Sequence, residues 1–170
     1  MFNMGKSAEG QPLGQEDLLV VPMQREHACD IVDWHYAGEY SFYDLRHYPE
    51  DIEEILDADR YGVSLFSVLN REGNLIGYLN FVDEGKNLEI GVALRPDLVG
   101  KGMGSNLLQV GMDFARRTFI FKRFKIRVWK LNQRAIKVYE REGFRIEKEL
   151  LIDINGVPFR FLRMSRDRDL

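Results

Sequence analysis

The chain has 170 residues, enough for one domain with a sizeable core. It is 45% hydrophobic and 30% charged, with a net charge of −3 and a pI near 5.7, so it lacks the basic excess of a nucleic-acid-binding footprint. Cys29 is its one cysteine, which excludes an intramolecular disulfide, and no apolar run reaches the length of a membrane span. With no signal-peptide pattern, a soluble cytoplasmic protein without membrane association is expected. Residues 1–14 are small, polar and aperiodic and read as a disordered leader, leaving 15–170 as one domain. Leu18 to Pro22 reads as a strand closed by proline. A helix is expected from Arg25 to about His35, with Ala28, Ile31, Val32 and His35 on one face and Cys29 as a small core residue. His27, His35 and His47 show no metal-ligand spacing, so no metal is expected.

Trp34 to Asp44 packs five aromatics into eleven residues with no clean period. Some of these belong to packing, but an irregular aromatic segment also suits the wall of a ligand cleft, and Tyr36, Tyr40 and Tyr43 are the candidates to face substrate. Pro49 starts a short helix through Leu56, with acids in the first turn where the helix dipole favours them. Strands over Tyr61–Leu69, Leu75–Val82 and Lys86–Arg95 are separated by turn-forming Asn70–Asn74 and Asp83–Lys86, which makes an antiparallel meander. In the last of them, Leu88, Ile90, Val92 and Leu94 share an apolar face, and Glu89, Gly91, Ala93 and Arg95 share the other. Pro96 stops that strand and Gly100-Lys-Gly-Met-Gly104 follows, opening a helix marked by Leu107, Leu108, Gly111, Phe114 and Ala115. Glycines between a strand and a helix aim bare N–H groups at one locus, and the helix N-terminus adds positive charge, so the turn suits a phosphate.

Arg123 to Lys130 alternates as a strand. Asn132 is a helix N-cap, Ala135, Ile136, Val138 and Tyr139 form the helix's apolar side, and Gly143 ends it. Phe144–Ile154 and Val157–Met164 form a hairpin about Asn155-Gly156, and the charged tail is expected to be solvated.

Two phosphate motifs fail on inspection. The P-loop needs a hydroxyl residue after its lysine, where Lys101 is followed by Gly102; the dinucleotide fingerprint needs glycine where Ser105 stands. A meander feeding a phosphate-binding helix is not a doubly wound sheet. Val99-Gly-Lys-Gly-Met-Gly104 instead resembles the R/Q-x-x-G-x-G/A turn of the GNAT family of N-acetyltransferases, departing from it at Val99. The segment from Asn132 to Phe144 is similar to the same family's N-x-x-A-x-x-x-Y-x-x-x-G-F signature, through Asn132, Ala135, Tyr139, Gly143 and Phe144. The resemblance covers roughly residues 60–165.

The resemblance implies an α+β acyl-CoA N-acyltransferase fold: a mixed, mostly antiparallel sheet flanked by helices and splayed where the strands of Glu89 and Arg127 diverge. Acetyl-CoA would enter the splay as co-substrate. Its pyrophosphate would lie on the backbone of Gly100, Lys101, Gly102, Met103, Gly104 and Ser105, and its pantetheine along Val92, Ala93 and Leu94. Asn132 would cap the helix and reach the pantetheine arm. An amine would attack the thioester directly, with a strand N–H near Val92 binding the oxyanion. Tyr139 would protonate the departing sulfur, since a phenol and an alkyl thiol have similar proton affinities. Glu89 or an ordered water would deprotonate the amine; Arg127, where other members place a second base, cannot. The acceptor, a small amine, a polyamine or a protein N-terminus, is expected to be cationic, drawn by aromatic faces and by acids such as Glu39 and Asp44. A noncatalytic acyl-CoA-binding protein of the same fold is the alternative. Family members often pair, so a homodimer is an expectation.

Overall fold

The computed structural model describes residues 13–170. Its framework is a seven-stranded sheet: β1 (Leu19–Pro22), β2 (Leu65–Leu69), β3 (Leu75–Glu84), β4 (Asn87–Leu94), β5 (Arg123–Trp129), β6 (Arg145–Ile154) and β7 (Val157–Asp167). They lie in the order β1-β2-β3-β4-β5-β7-β6. Every pairing is antiparallel except β4 with β5, which run parallel. The four helices are α1 (Arg25–Val32), α2 (Pro49–Leu56), α3 (Gly104–Thr118) and α4 (Gln133–Arg141).

The two sheet faces carry separate apolar clusters. On one, Leu79, Leu88, Ile90, Phe124 and Ile126 pack against Leu107, Leu108, Met112 and Ala115 of α3 and Ile136 of α4. On the other, Ala28 and Ile31 of α1 and Ile55 of α2 close over Leu65 and Met23. The expected alternation of β4 holds: Leu88 and Ile90 are buried, and Val92 and Leu94 are partly buried against the first cluster. α3 comes close to the sheet because Gly111 has no side chain; a Cβ there would lie 2.9 Å from Leu79 Cδ2 and 3.2 Å from Ile90 Cδ1.

Several expectations shift. α1 ends at Val32, and His35 lies outside it and is exposed. Cys29 is exposed, because the helix turns Ala28 and Ile31 inward instead. The expected strand from Tyr61 starts only at Leu65, after a turn closed by the Gly62 N–H on the Leu65 carbonyl. The tail is not fully solvated: β7 runs to Asp167, and Arg168 donates to the Arg116 carbonyl at 2.9 Å and lies over the Phe121 ring. The leader expected over residues 1–14 falls outside the described residues except for its last two. Of those, Leu13 packs against the core and its carbonyl accepts from Asn106 Nδ2 at 2.8 Å. Among the described residues no helix is long and apolar enough to cross a membrane, and no group of three or more His, Cys, Asp or Glu residues is placed to hold a metal ion.

The feature that creates the site is the short parallel pairing. β4 and β5 are matched only at Asn87↔Arg123, Leu88↔Phe124 and Glu89↔Lys125. Beyond Glu89, β4 stays paired with β3 as far as Leu94, and β5 stays paired with β7 as far as Trp129. The two strands therefore part, each with one backbone edge facing the gap.

Candidate active site

The gap opens into a cleft of about 1700 Å³. Val92, Ala93 and Leu94 line it from β4, Val128 from β5, and Asn132, Ala135 and Tyr139 from α4. Gly100, Gly102, Gly104 and Ser105 close one end. An unpaired strand edge offers N–H and C=O groups to an extended amide-containing ligand in the way a neighbouring strand would.

The glycine turn has the conformation its composition suggested. Gly100 and Gly102 both sit at φ +79, which L side chains rarely adopt. α3 begins at Gly104 with no side-chain cap, so its first N–H groups remain available to an anion. Not every predicted contact is a side chain at the cleft. Lys101 is exposed and off the cleft wall, and the Met103 side chain is buried in the core, 4% exposed, leaving only its backbone at the turn. The cation beside the turn is Arg134 of α4, which the sequence reading did not single out. A Cβ on Gly100 would lie 3.3 Å from its Nη1, and its guanidinium stacks 4.6 Å from the centroid of Tyr40. Only the fold brings α4 to the turn. Val99 lines the cleft as an apolar residue.

α4 positions the signature residues. Asn132 Oδ1 accepts from the Ala135 N–H at 3.1 Å, capping the helix, while its Nδ2 donates to the Tyr43 hydroxyl at 3.0 Å. One turn into the helix, Ile136 and Tyr139 face inward. Tyr139 is 8% exposed, and burial, with Tyr43 nearby, pushes its phenol well above the usual value and keeps it protonated. Tyr43 is also raised by burial, an effect that the bond from Asn132 opposes.

The aromatic segment is a run of 3-10 turns over Gly38–Tyr43 and Leu45–His47. Tyr36, Tyr40 and Tyr43 all line the cleft, and the Tyr36 hydroxyl donates to the Leu94 carbonyl at 2.9 Å. Phe42 does the packing, stacked 4.6 Å from Trp129 and tilted against Phe159 at 4.8 Å. The segment is pinned by Asp44, which is fully buried. Its carboxylate accepts from the Tyr36 N–H at 2.8 Å and from Arg46 at 3.0 Å, and His35 Nδ1 lies 2.5 Å away. Burial opposes its charge, but these partners outweigh burial and hold its carboxyl below the usual value.

Asp44 is therefore committed to the segment and does not attract a ligand, and Glu39 is exposed away from the cleft. The acids that do line it, Glu89 aside, are Glu50, Asp51 and Glu54 of α2, Glu140 of α4 and Asp153 at the β6–β7 tip. The residues of α2 were legible only as a helix start. Glu89 lines the cleft too, but its carboxylate is held by Arg127, with Nε at 2.8 Å and Nη2 at 2.6 Å, and by Arg163 at 3.6 Å. The expectation of Glu89 as a base therefore meets a carboxylate already claimed by two guanidinium groups, one of them on the residue set aside because it could not be a base.

Comparison with known proteins agrees with this geometry. The Spermidine N(1)-acetyltransferase of Escherichia coli is 25% identical over 164 residues, spanning 93% of this chain and 84% of that protein. A spermidine N-acetyltransferase of Vibrio cholerae, solved with CoA and spermine, superposes with a TM-score of 0.74 at 20% identity, covering 90% of this chain and 96% of that one. An acetyltransferase (GNAT family) of Bacillus anthracis gives 0.73 at 17% identity, covering 91% and 96%. Residues 29–144 match the sequence model of the Acetyltransferase (GNAT) family. With this match over the glycine turn, the splay and the α4 signature, the chain belongs to the Acetyltransferase (GNAT) family and is an acetyl-CoA-dependent N-acetyltransferase.

Proposed function

We propose that the acceptor is a linear polyamine. The observation that carries this reading is the group of acids lining the cleft, Glu50, Asp51, Glu54 and Asp153, together with Tyr36, Tyr40 and Tyr48. Carboxylates with aromatic faces suit a flexible chain of ammonium groups spaced by methylenes: the charges pair with acids and the methylenes lie on rings. The relative of Escherichia coli carries spermidine in its name, which supports the same class.

The residues fit acetyl-CoA as co-substrate. The N–H groups at the start of α3 and the Arg134 guanidinium would receive the pyrophosphate, and the β4 edge from Val92 to Leu94 would receive the pantetheine. Acetyl-CoA supplies the activated acyl group; the protein binds, orients and moves protons. A strand N–H near Val92 is the donor for the developing oxyanion. Tyr139 is the acid for the sulfur. Burial in a poorly solvated site raises a thiol's proton affinity as it raises a phenol's, so the two remain matched.

The test is CoA release with spermidine, spermine, a monoamine and a short peptide. The polyamines should exceed the others in kcat/KM by about tenfold or more, the scale of one added ion pair with a partly desolvated carboxylate. Tyr139→Phe should lower kcat on the order of 10²-fold with the Kd for CoA unchanged. A peptide N-terminus turned over best would overturn the acceptor class, and full activity of Tyr139→Phe would overturn the acid.

A further inference from the structure

Direct attack needs a group that takes a proton from the incoming ammonium. Glu89 is poorly suited, because Arg127 already occupies its carboxylate at 2.6 and 2.8 Å and Arg163 lies 3.6 Å away, so an incoming ammonium would have to displace a guanidinium. The register of β3 and β4 places an opening on the sheet surface beside the splay. On the face covered by α1 and α2, Tyr78 stands beside Ala93, Asn80 beside Gly91 and Val82 beside Glu89. Gly91 has no side chain, so the sheet surface is bare there, immediately beyond the last matched β4–β5 pair. Beside it Asn80 lines the cleft, and its Oδ1 is buried with no hydrogen-bond partner among the described residues. An acceptor left unpaired in this way is costly unless a donor arrives from the cleft. Asp51 lines the same cleft from the first turn of α2. Its neighbour Glu54 is held by Arg60 at 2.5 Å. Asp51 itself is exposed to the cleft, and its side chain has no ion pair or hydrogen bond among the described residues.

We propose that Asp51 is the catalytic base, taking a proton from the attacking ammonium group while Asn80 Oδ1 accepts another N–H of the same nitrogen and aims it at the splay. The assignment rests on reading the cleft as an amine-acceptor site. Asp51 removes the first proton and frees the lone pair. That pair forms the C–N bond to the thioester carbon as the C=O π electrons move onto oxygen. When C=O re-forms, the C–S bond breaks and its electrons leave with sulfur. Sulfur takes the Tyr139 proton, the nitrogen's second surplus proton replaces it on the phenol, and Asp51 returns its own proton to solvent. The products are an N-acetylated amine, CoA and one proton.

The charged and titratable groups around Asp51 are Glu50 and Glu54 on its own helix, Tyr48 before it, Tyr78 on β3, Glu89 on β4, Arg127 on β5 and Asp153 at the β6–β7 tip. Burial first, then Glu54 and Glu50, raise its carboxyl above the usual value, and Arg127 opposes them. A raised carboxyl is the stronger base, and it is lost as a base when pH falls through that raised value.

The experiment is the pH profile of kcat and of kcat/KM for spermidine in wild type, Asp51→Asn, Asp51→Glu and Glu89→Gln, with the Kd for CoA as the check on folding. Asp51→Asn should lower kcat on the order of 10²-fold and abolish the acid limb, so that the residual rate rises with hydroxide. Asp51→Glu should restore both the limb and part of the rate, Glu89→Gln should keep the limb, and all should bind CoA as wild type does. Asp51→Asn raising only the KM for spermidine, with kcat and limb intact, would reduce Asp51 to a binding group and overturn the proposal. Loss of the limb in Glu89→Gln instead would overturn it in favour of Glu89. A wild type that releases no CoA with any amine would overturn the acceptor reading and the base assignment together.

Discussion

Gly102 and Gly111 look alike in sequence and do opposite things. Gly102 is at φ +79 with open space around it, so Gly102→Ala meets no clash and costs about 1–2 kcal/mol through the backbone alone. Because that turn presents the N–H groups, the expected outcome is a raised KM for acetyl-CoA, read by titrating acetyl-CoA at saturating spermidine. Gly111→Ala puts a Cβ 2.9 Å from Leu79. It should lower stability by about 1–3 kcal/mol in a denaturant titration, with the KM for acetyl-CoA little changed. At this scale the sequence was informative where chemistry is tied to spacing. Asn132 and Tyr139 are seven residues apart, and their register on one helix could be counted. It was uninformative where distant segments meet. Lys101 was visible beside the glycines, yet the cation near them is Arg134, which reaches the turn only through the packing of α4. The pairing of Glu89 with Arg127 likewise depends on β4 and β5 being neighbours, and no local pattern carries that.

Among the elements, α4 is the one whose ends matter most, since Asn132 caps it and also holds Tyr43. Asn132→Ala should cost about 1 kcal/mol of stability and lower kcat, because both supports of the Tyr139 environment are lost. Asn132→Asp keeps the capping oxygen but replaces the donor to Tyr43 by an acceptor, so the bond can form only if the Tyr43 hydroxyl donates, whereas Asn132→Ser keeps a capping oxygen and is too short to reach Tyr43. Thermal melting should recover with Ser while kcat stays low. If kcat recovers with Ser as well, the Tyr43 bond has no part in the site. The helices and strands with a clear period were placed within a few residues by the sequence. The segment from Gly38 to His47 was not, because buried Asp44 and the Phe42 stack fix its conformation through groups far apart in the chain. The acids of α2 were read as dipole partners, which fits their first-turn position; that the same turn overhangs the cleft is a property of how α2 packs on Leu65.

For the whole molecule, the decisive feature is one sheet whose two middle strands agree for three pairs and then separate. Alternation in β4 and β5 marked both as strands, but neither the parallel pairing nor its early end leaves a trace in periodicity; both came from the family resemblance. Net charge misleads in a related way. The total of −3 is small, yet Glu50, Asp51, Glu54 and Asp153 line the cleft while the phosphate turn meets Arg134. Acetyl transfer from acetyl-CoA to a polyamine in this cleft is followed by mixing the protein with acetyl-CoA and spermidine and recording CoA release beside the mass of the polyamine. Spermidine should gain one acetyl group for each CoA released, with double-reciprocal plots that intersect as a ternary complex requires. CoA binding without any acetylated spermidine, at any pH between 6 and 10 chosen to span the ordinary amine and thiol range, would contradict it.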